Sequence, residues 1–154
     1  MTLYSVDTSA LILGINEYYR PENFPRLWDH VDALIGDGRF RASDFVADEV
    51  KAKADDVHAW LEPRYETFIV ESDSDVMVRA RAILKSHPKL TKETQTRTRA
   101  DPFVIALAQQ RGGVVVTGEG FGSVDRPRIP NVCDALGIEC ISLPEVVARE
   151  GWTF

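Results

Sequence analysis

The sequence has only two cysteines, Cys133 and Cys140, and three histidines, His30, His58 and His87. The cysteines form no C-x-x-C pair and have no histidine nearby, which excludes the usual thiolate–imidazole zinc sites. A disulfide is not expected in a reducing cytosol. The histidines are scattered along the chain, which leaves no basis for a His-based metal site or triad, and all five residues read as structural or surface. No apolar stretch is long enough to cross a bilayer. The N-terminus MTLYSVDTSA lacks the basic region and long apolar segment of a secretory signal. The expectation is a cytoplasmic protein with no membrane partner. Positive charge is also scarce: 18 Lys and Arg against 24 Asp and Glu give a net charge of −6. That excludes a protein that coats nucleic acid by bulk electrostatics. It does not exclude a nuclease, because a site built of carboxylates is itself acidic and takes its positive charge from bound metal. There is no internal repeat and no low-complexity segment.

What is present is the composition of a soluble globular protein, 44% hydrophobic and 27% charged over 154 residues, read as a single domain over 1–154. LYSV (3–6) is a short apolar run ending at Asp7 and reads as a buried strand. A helix follows over 8–19 and stops near Pro21. Phe24, Leu27, Trp28, Val31, Leu34 and Ile35 recur at spacings of three and four, an amphipathic helix ending at Gly36 or Gly38. FRAS (40–43) is a second strand, and Ser43 or Asp44 caps a helix over 45–61. TFIV (67–70) is a weaker strand, and a helix covers 74–84. The polar stretch LKSHPKLTKETQTRTRA (84–100) reads as a loop or exposed helix. A helix follows over 102–110. VVVT (114–117) is the clearest strand, a short helix covers 132–136, IECISL (138–143) is a last strand, and Pro144 opens a terminal helix. Strands and helices alternate, and the strand runs are apolar on both faces, as in a parallel sheet covered by helices.

In such sheets ligands bind beyond the carboxyl ends of the strands. Asp7 directly follows the first strand, and Glu119 stands two residues after Thr117, which ends VVVT. Asp101 begins a helix that, if antiparallel to VVVT, starts at the same edge. On a helical wheel of about 100° per residue, Glu49 lies about 60° from Val46, at the border of the apolar stripe that Val46, Val50, Lys53 and Val57 mark. Asp48 falls on the solvent side. Each acid has an ordinary explanation: Asp7 and Asp101 as helix caps, the latter before Pro102, Glu49 as a helix-border residue, Glu119 as a loop acid. Together they form a carboxylate cluster, whose mutual repulsion calls for a cation. Oxygen ligands select hard divalent ions such as Mg²⁺ or Mn²⁺, and the matching chemistry is metal-assisted phosphodiester hydrolysis.

The stretches VDTSALI (6–12), VADEV (46–50), ADPFVIALA (100–108) and VVVTGEGF (114–121) resemble the four acidic motifs of PIN-domain ribonucleases, in order and separation, across nearly the whole chain. The similarity is greatest to a bacterial PIN-like group classed as a domain of unknown function. The resemblance implies a three-layer α/β/α fold with a central parallel sheet of four to five strands. It implies a metal-dependent endoribonuclease whose Asp7, Glu49, Asp101 and Glu119 hold Mg²⁺ or Mn²⁺, supported by Ser9 and Thr117. Glu119 departs from the aspartate common at that position, and Asp125 competes for the role. PIN domains of this size are often toxins of type II toxin–antitoxin pairs, which implies an antitoxin partner and a possible homodimer.

For the RNA backbone, Lys85, Lys89, Lys92, Arg97 and Arg99 form a candidate phosphate track, with Arg126 and Arg128 a second. Tyr18, Tyr19 and Trp28 are candidates to stack on bases, although Trp28 is in phase with the core positions Leu27 and Val31. Trp152 and Phe154 are placed to pack on the domain or on a partner. A haloacid-dehalogenase phosphatase would need a second acid where Ser9 stands, and a receiver domain would need an acidic pair near the first strand. The rival of a different class is a non-catalytic PIN-like module that binds RNA or protein.

Overall fold

A computed structural model describes residues 1–91 and 100–154. Its sheet contains β1 (Tyr4–Val6), β2 (Phe40–Ser43), β3 (Ile69–Val70), β4 (Val114–Val116) and β5 (Cys140–Ile141), in the spatial order β3-β2-β1-β4-β5. All four pairings are parallel, with Tyr4 opposite both Phe40 and Val114, Ser43 opposite Val70, and Val116 opposite Ile141. The strands are short and buried, and their β-branched and aromatic residues suit a sheet covered on both faces. The order reverses direction at β1, so the crevice beyond the carboxyl ends of β1 and β4 is the topological switch point where such sheets bind ligands.

Successive side chains of a strand face opposite sides, and β1 shows both layers. Ser5 donates to the Val104 carbonyl at 2.8 Å, docking helix α7 (Asp101–Arg111) on one face. Tyr4 points the other way, tilted against Phe40 and donating to Glu150 at 2.6 Å near the end of the terminal helix. Arg39 grips the same carboxylate with two nitrogens at 3.0 and 2.7 Å. The expected three-layer α/β/α architecture is thus what forms, with five strands.

Helices α1 (Thr8–Leu13), α2 (Pro25–Gly36), α6 (Ser74–Ser86) and α7 fall where the apolar spacing places them. Four boundaries differ. The helix expected over 45–61 is two, α3 (Asp44–Lys53) and α4 (Asp55–Leu61), broken at an extended Ala54. The carboxylates of Asp55 and Asp56 favour a new helix start there, and Asp56 accepts the Val57 amide at 2.9 Å. TFIV is only half strand: Phe68 ends a short helix α5 (Tyr65–Phe68), its ring stacked on Phe40 at 5.8 Å. IECISL contributes only Cys140 and Ile141, because Ser142 and Glu145 form a capping box that starts α9 (Leu143–Glu150). Helix α8 (Ile129–Leu136) starts earlier than expected, with Pro130 in its first turn. The first helix runs on as a π-helical turn, Gly14–Tyr18. A β-carbon at Gly14 would meet Leu143 Cδ2 at 2.5 Å, so this glycine allows the close approach of α9.

Trp28 is core, buried on α2 and donating to the Tyr19 carbonyl at 2.5 Å. That removes it from the base-stacking candidates. Tyr18 remains exposed, edge-on to Tyr19. Trp152 stacks on His30 of the domain itself, while Phe154 meets the same ring edge-on and stays largely exposed. No helix among the described residues is long and apolar enough to cross a membrane.

Candidate active site

Asp7 ends β1. It occupies the N-cap position of α1 but makes no side-chain cap bond. Its Oδ2 accepts instead from the Ser9 hydroxyl at 2.7 Å and the Thr117 hydroxyl at 3.1 Å. Ser9 and Thr117 touch each other at 3.2 Å. Ser9 also accepts the Gly118 amide at 2.9 Å, and Thr117 accepts the Glu119 amide at 3.1 Å. The two supporting hydroxyls therefore join the ends of β1 and β4 and hold Asp7 between them.

Asp101 is not a cap. Ala100 is the N-cap of α7, and Asp101 is its first helical residue, buried, with Pro102 behind it. The Ser5–Val104 bond fixes α7 on β1 one turn further on. Helix α7 is buried nearly all round rather than along one stripe, so its start is held from several sides.

Glu49 reaches the site through a long-range contact. Phe45 of α3 stacks on Phe103 of α7 with ring centroids 3.8 Å apart and planes 14° apart. Glu49 lies one turn after Phe45 on the same side of α3, and Phe103 lies two residues after Asp101. The stack thus brings the second and third acids together. Thr8 donates to Glu49 Oε1 at 2.6 Å. The other oxygen, Oε2, is buried with no hydrogen-bond partner among the described residues.

Glu119 is half-buried and accepts the first amide of α8, Ile129, at 3.4 Å. Asp125 is exposed and paired with Lys89 at 3.6 Å, so Glu119 is the acid placed beside the others. Gly118 is closely packed here: a β-carbon would run into Leu13 Cδ1 and come within 3.1 Å of the Ser9 carbonyl oxygen.

Burial raises the pKa of all four acids. Asp101 is pushed up to about 9, first by desolvation and then by the charges of Asp7, Glu119 and Glu49, against a small opposing effect of Lys53. Burial also lifts Asp7, although the Ser9 and Thr117 hydroxyls favour its anion. Glu49 is raised by burial, against the Thr8 hydroxyl and Lys53, with Asp7 adding to the rise and the Ala100 backbone amide opposing it. Glu119 is raised by burial and by Asp7, with Arg128 opposing. The four acids, Asp7 and Asp101 buried and Glu49 and Glu119 half-buried, have unfavourable ionised forms that protons or a cation would relieve, and an all-oxygen donor set suits a hard divalent cation. Glu49 Oε2, with no close hydrogen-bond partner among the described residues, fits such a ligand. Among the described residues no three of these groups converge as a ready coordination set. One oxygen of Asp7 and one of Glu49 are turned onto hydroxyls instead.

Of the candidate phosphate contacts, Lys85 lies at the end of α6 and Lys89 in the turn after it. The Lys89–Asp125 pair ties that segment to the loop after Glu119. Arg126 and Arg128 are exposed on that loop, Arg128 within electrostatic reach of Glu119. Lys92, Arg97 and Arg99 lie outside the described residues. Sequence reasoning missed Thr8, whose hydroxyl beside Asp7 was the available signal, and Lys53, which follows Glu49 by one helical turn.

A parallel sheet in the order 3-2-1-4-5, helices on both faces and acids gathered at its switch point define a PIN-like α/β/α domain. The chain belongs to the family described as domain of unknown function DUF4411, which matches residues 4–154. It is similar in fold to the crystal structure of FitAcB from Neisseria gonorrhoeae. The two share 19% identity and a TM-score of 0.53, over 90% of this chain and 96% of that one. No curated protein matches the sequence.

Proposed function

We propose that this protein is a metal-dependent endoribonuclease that hydrolyses RNA phosphodiester bonds, and that it is the toxin of a type II toxin–antitoxin pair. The observation that carries the catalytic reading is the cluster of buried Asp7 and Asp101 with half-buried Glu49 and Glu119, in which the pKa of Asp101 is pushed up to about 9 and Glu49 Oε2 has no close hydrogen-bond partner among the described residues. A soluble domain has little reason to gather buried carboxylates without a cation to bind. Asp7, Glu49 and Asp101 would hold Mg²⁺ or Mn²⁺, with Glu119 completing the set. When bound, such an ion supplies Lewis-acid stabilisation of charge on the phosphate and activation of water. The protein's own part is positioning. Ser9 and Thr117 orient Asp7, Thr8 orients Glu49, and Lys89, Arg126 and Arg128 offer cations to the RNA backbone on the adjoining loops.

The toxin role, and with it an antitoxin partner, rests on the resemblance of the four motifs to PIN-domain toxins and on the PIN-like fold. The test is to purify the chain alone and map RNA cleavage with Mg²⁺, Mn²⁺ or EDTA, beside Asp7→Asn and Asp101→Asn. Metal-dependent cleavage lost in both variants, with circular dichroism unchanged, supports the assignment; equal cleavage by both variants overturns it. A second reading is a non-catalytic PIN-like module that binds RNA or protein. It is favoured by the lack of a converged coordination set among the described residues. Absence of Mn²⁺ binding at millimolar metal in calorimetry would select it.

A further inference from the structure

Cys133 lies in α8 and is buried, whereas Cys140 opens β5 and is partly exposed. Between them α8 ends at a left-handed Gly137 with φ 69°, and the Ile138 amide bonds back to the Cys133 carbonyl at 2.9 Å. This reversal lays the start of β5 against the helix the chain has just left. The two thiols come close enough for each to perturb the ionisation of the other. They are the only cysteines in the sequence, so each has a single intramolecular partner. Cys140 also lines a cleft of about 430 Å³ beside Thr117, Glu119 and Phe121. A small solute can reach it there, while Cys133 sits behind it.

We propose that Cys140 and Cys133 form a peroxide-sensitive thiol pair, in which Cys140 is oxidised first and Cys133 resolves it to a disulfide. The Cys140 sulfur attacks one oxygen of hydrogen peroxide. An S–O bond forms, the O–O bond breaks, and the second oxygen leaves as water with the proton that the thiol gives up. The product is a sulfenic acid. The Cys133 sulfur then attacks the sulfenic sulfur; the S–S bond forms, the S–O bond breaks, and the hydroxyl departs as a second water with the Cys133 proton. One peroxide is reduced by the two electrons of one disulfide. The order of events follows from access: Cys140 lines the cleft whereas Cys133 is buried behind it, and the influence of each thiol on the other favours the thiolate at Cys140 over that at Cys133. Burial of Cys140 and the nearby Asp7, Glu119 and Glu145 act against its thiolate, so a moderate rather than extreme reactivity is expected. The disulfide would pin α8 to β5 in the wall of the cleft next to Glu119. This proposal is independent of the nuclease reading.

The test uses the full chain, reduced, desalted and exposed to hydrogen peroxide, followed by intact mass and thiol titration. The monomer should lose about 2 Da and both titratable thiols, and recover both with dithiothreitol. Cys133→Ser should stop at a sulfenic acid that dimedone traps, and Cys140→Ser should stay unmodified over the same exposure. A wild-type chain that only gains oxygen, or that forms disulfide-linked dimers, overturns the pairing. A Cys140→Ser variant oxidised as fast as wild type overturns the order. The wild-type mass alone decides the pairing, so it does not depend on either variant folding.

Discussion

Replacing Asp101 by Asn should make the metal-free protein more stable at neutral pH, the opposite of what removing a useful side chain normally does. An acid whose pKa rises on folding takes up a proton as the chain folds. That contribution is complete below its ordinary value of 3.8 and is lost as pH climbs towards about 9. At pH 7 about 3 units of that window have been crossed, at about 1.4 kcal/mol each, so Asp101 costs the metal-free fold at most about 4 kcal/mol. Asn keeps the shape and removes the charge, but it leaves a buried amide whose incomplete hydrogen bonding costs about 1–3 kcal/mol. The net gain is about 2 kcal/mol, or roughly 4–8 °C in Tm for a chain of this size. The assay is thermal melting in EDTA at pH 5, 7 and 9. Wild-type Tm should fall across this series, and Asp101→Asn should fall less and lie above it at pH 7 and 9. Adding Mn²⁺ should raise wild type more than the variant, reversing or closing the gap. A variant that melts below wild type in EDTA at pH 9, or a wild-type Tm that does not change with pH, would refute the account of Asp101 as an acid awaiting a cation.

Three further outcomes follow from the same geometry. Glu49→Gln keeps an acceptor for Thr8 but loses the charge, and calorimetry should show Mn²⁺ binding at least about tenfold weaker, about 1.4 kcal/mol. Ser9→Ala deletes the contacts to Asp7, Thr117 and the Gly118 amide and should cost about 1–3 kcal/mol in urea unfolding. Gly118→Ala should cost about 1–3 kcal/mol by the same measure: the Leu13 methyl can turn aside from the new carbon, but the Ser9 carbonyl 3.1 Å away belongs to the backbone of α1.

How far the site could be read in advance depends on how far each side chain's aim is set by its neighbours in sequence. Strands β1 and β4 were legible because short apolar runs, β-branched in the case of β4, end directly at Asp7 and Thr117, and chain order alone then places both at one edge. The start of α7 was legible from Asp101 and Pro102, but whether Asp101 caps that helix was not. Ala100 takes the cap, and Asp101 is held inward by a helix buried on almost every side, which removes the amphipathic pattern that would have shown its direction. The helical wheel put Glu49 at the border of a stripe and could go no further. What turns that border inward is Phe45 on Phe103, and nothing near Phe45 announces its partner. Thr8 shows the same limit, since its acceptor Glu49 is 41 residues away. The break at Ala54 carries no glycine or proline, and only the two acids after it hint that one helix becomes two. Glu119 and Asp125 share a glycine-rich loop and could not be ranked by composition; the structure separates them, Glu119 accepting the Ile129 amide at the start of α8 and Asp125 lying exposed beside Lys89. Local sequence therefore accounts for Asp7 and for the start of α7 at the switch point, but not for which further acids join them. Their mutual aim is written in contacts between α1, α3, α7 and the β4 loop, so substitutions at Phe45, Phe103 or Gly118 test the site as directly as substitutions of the acids.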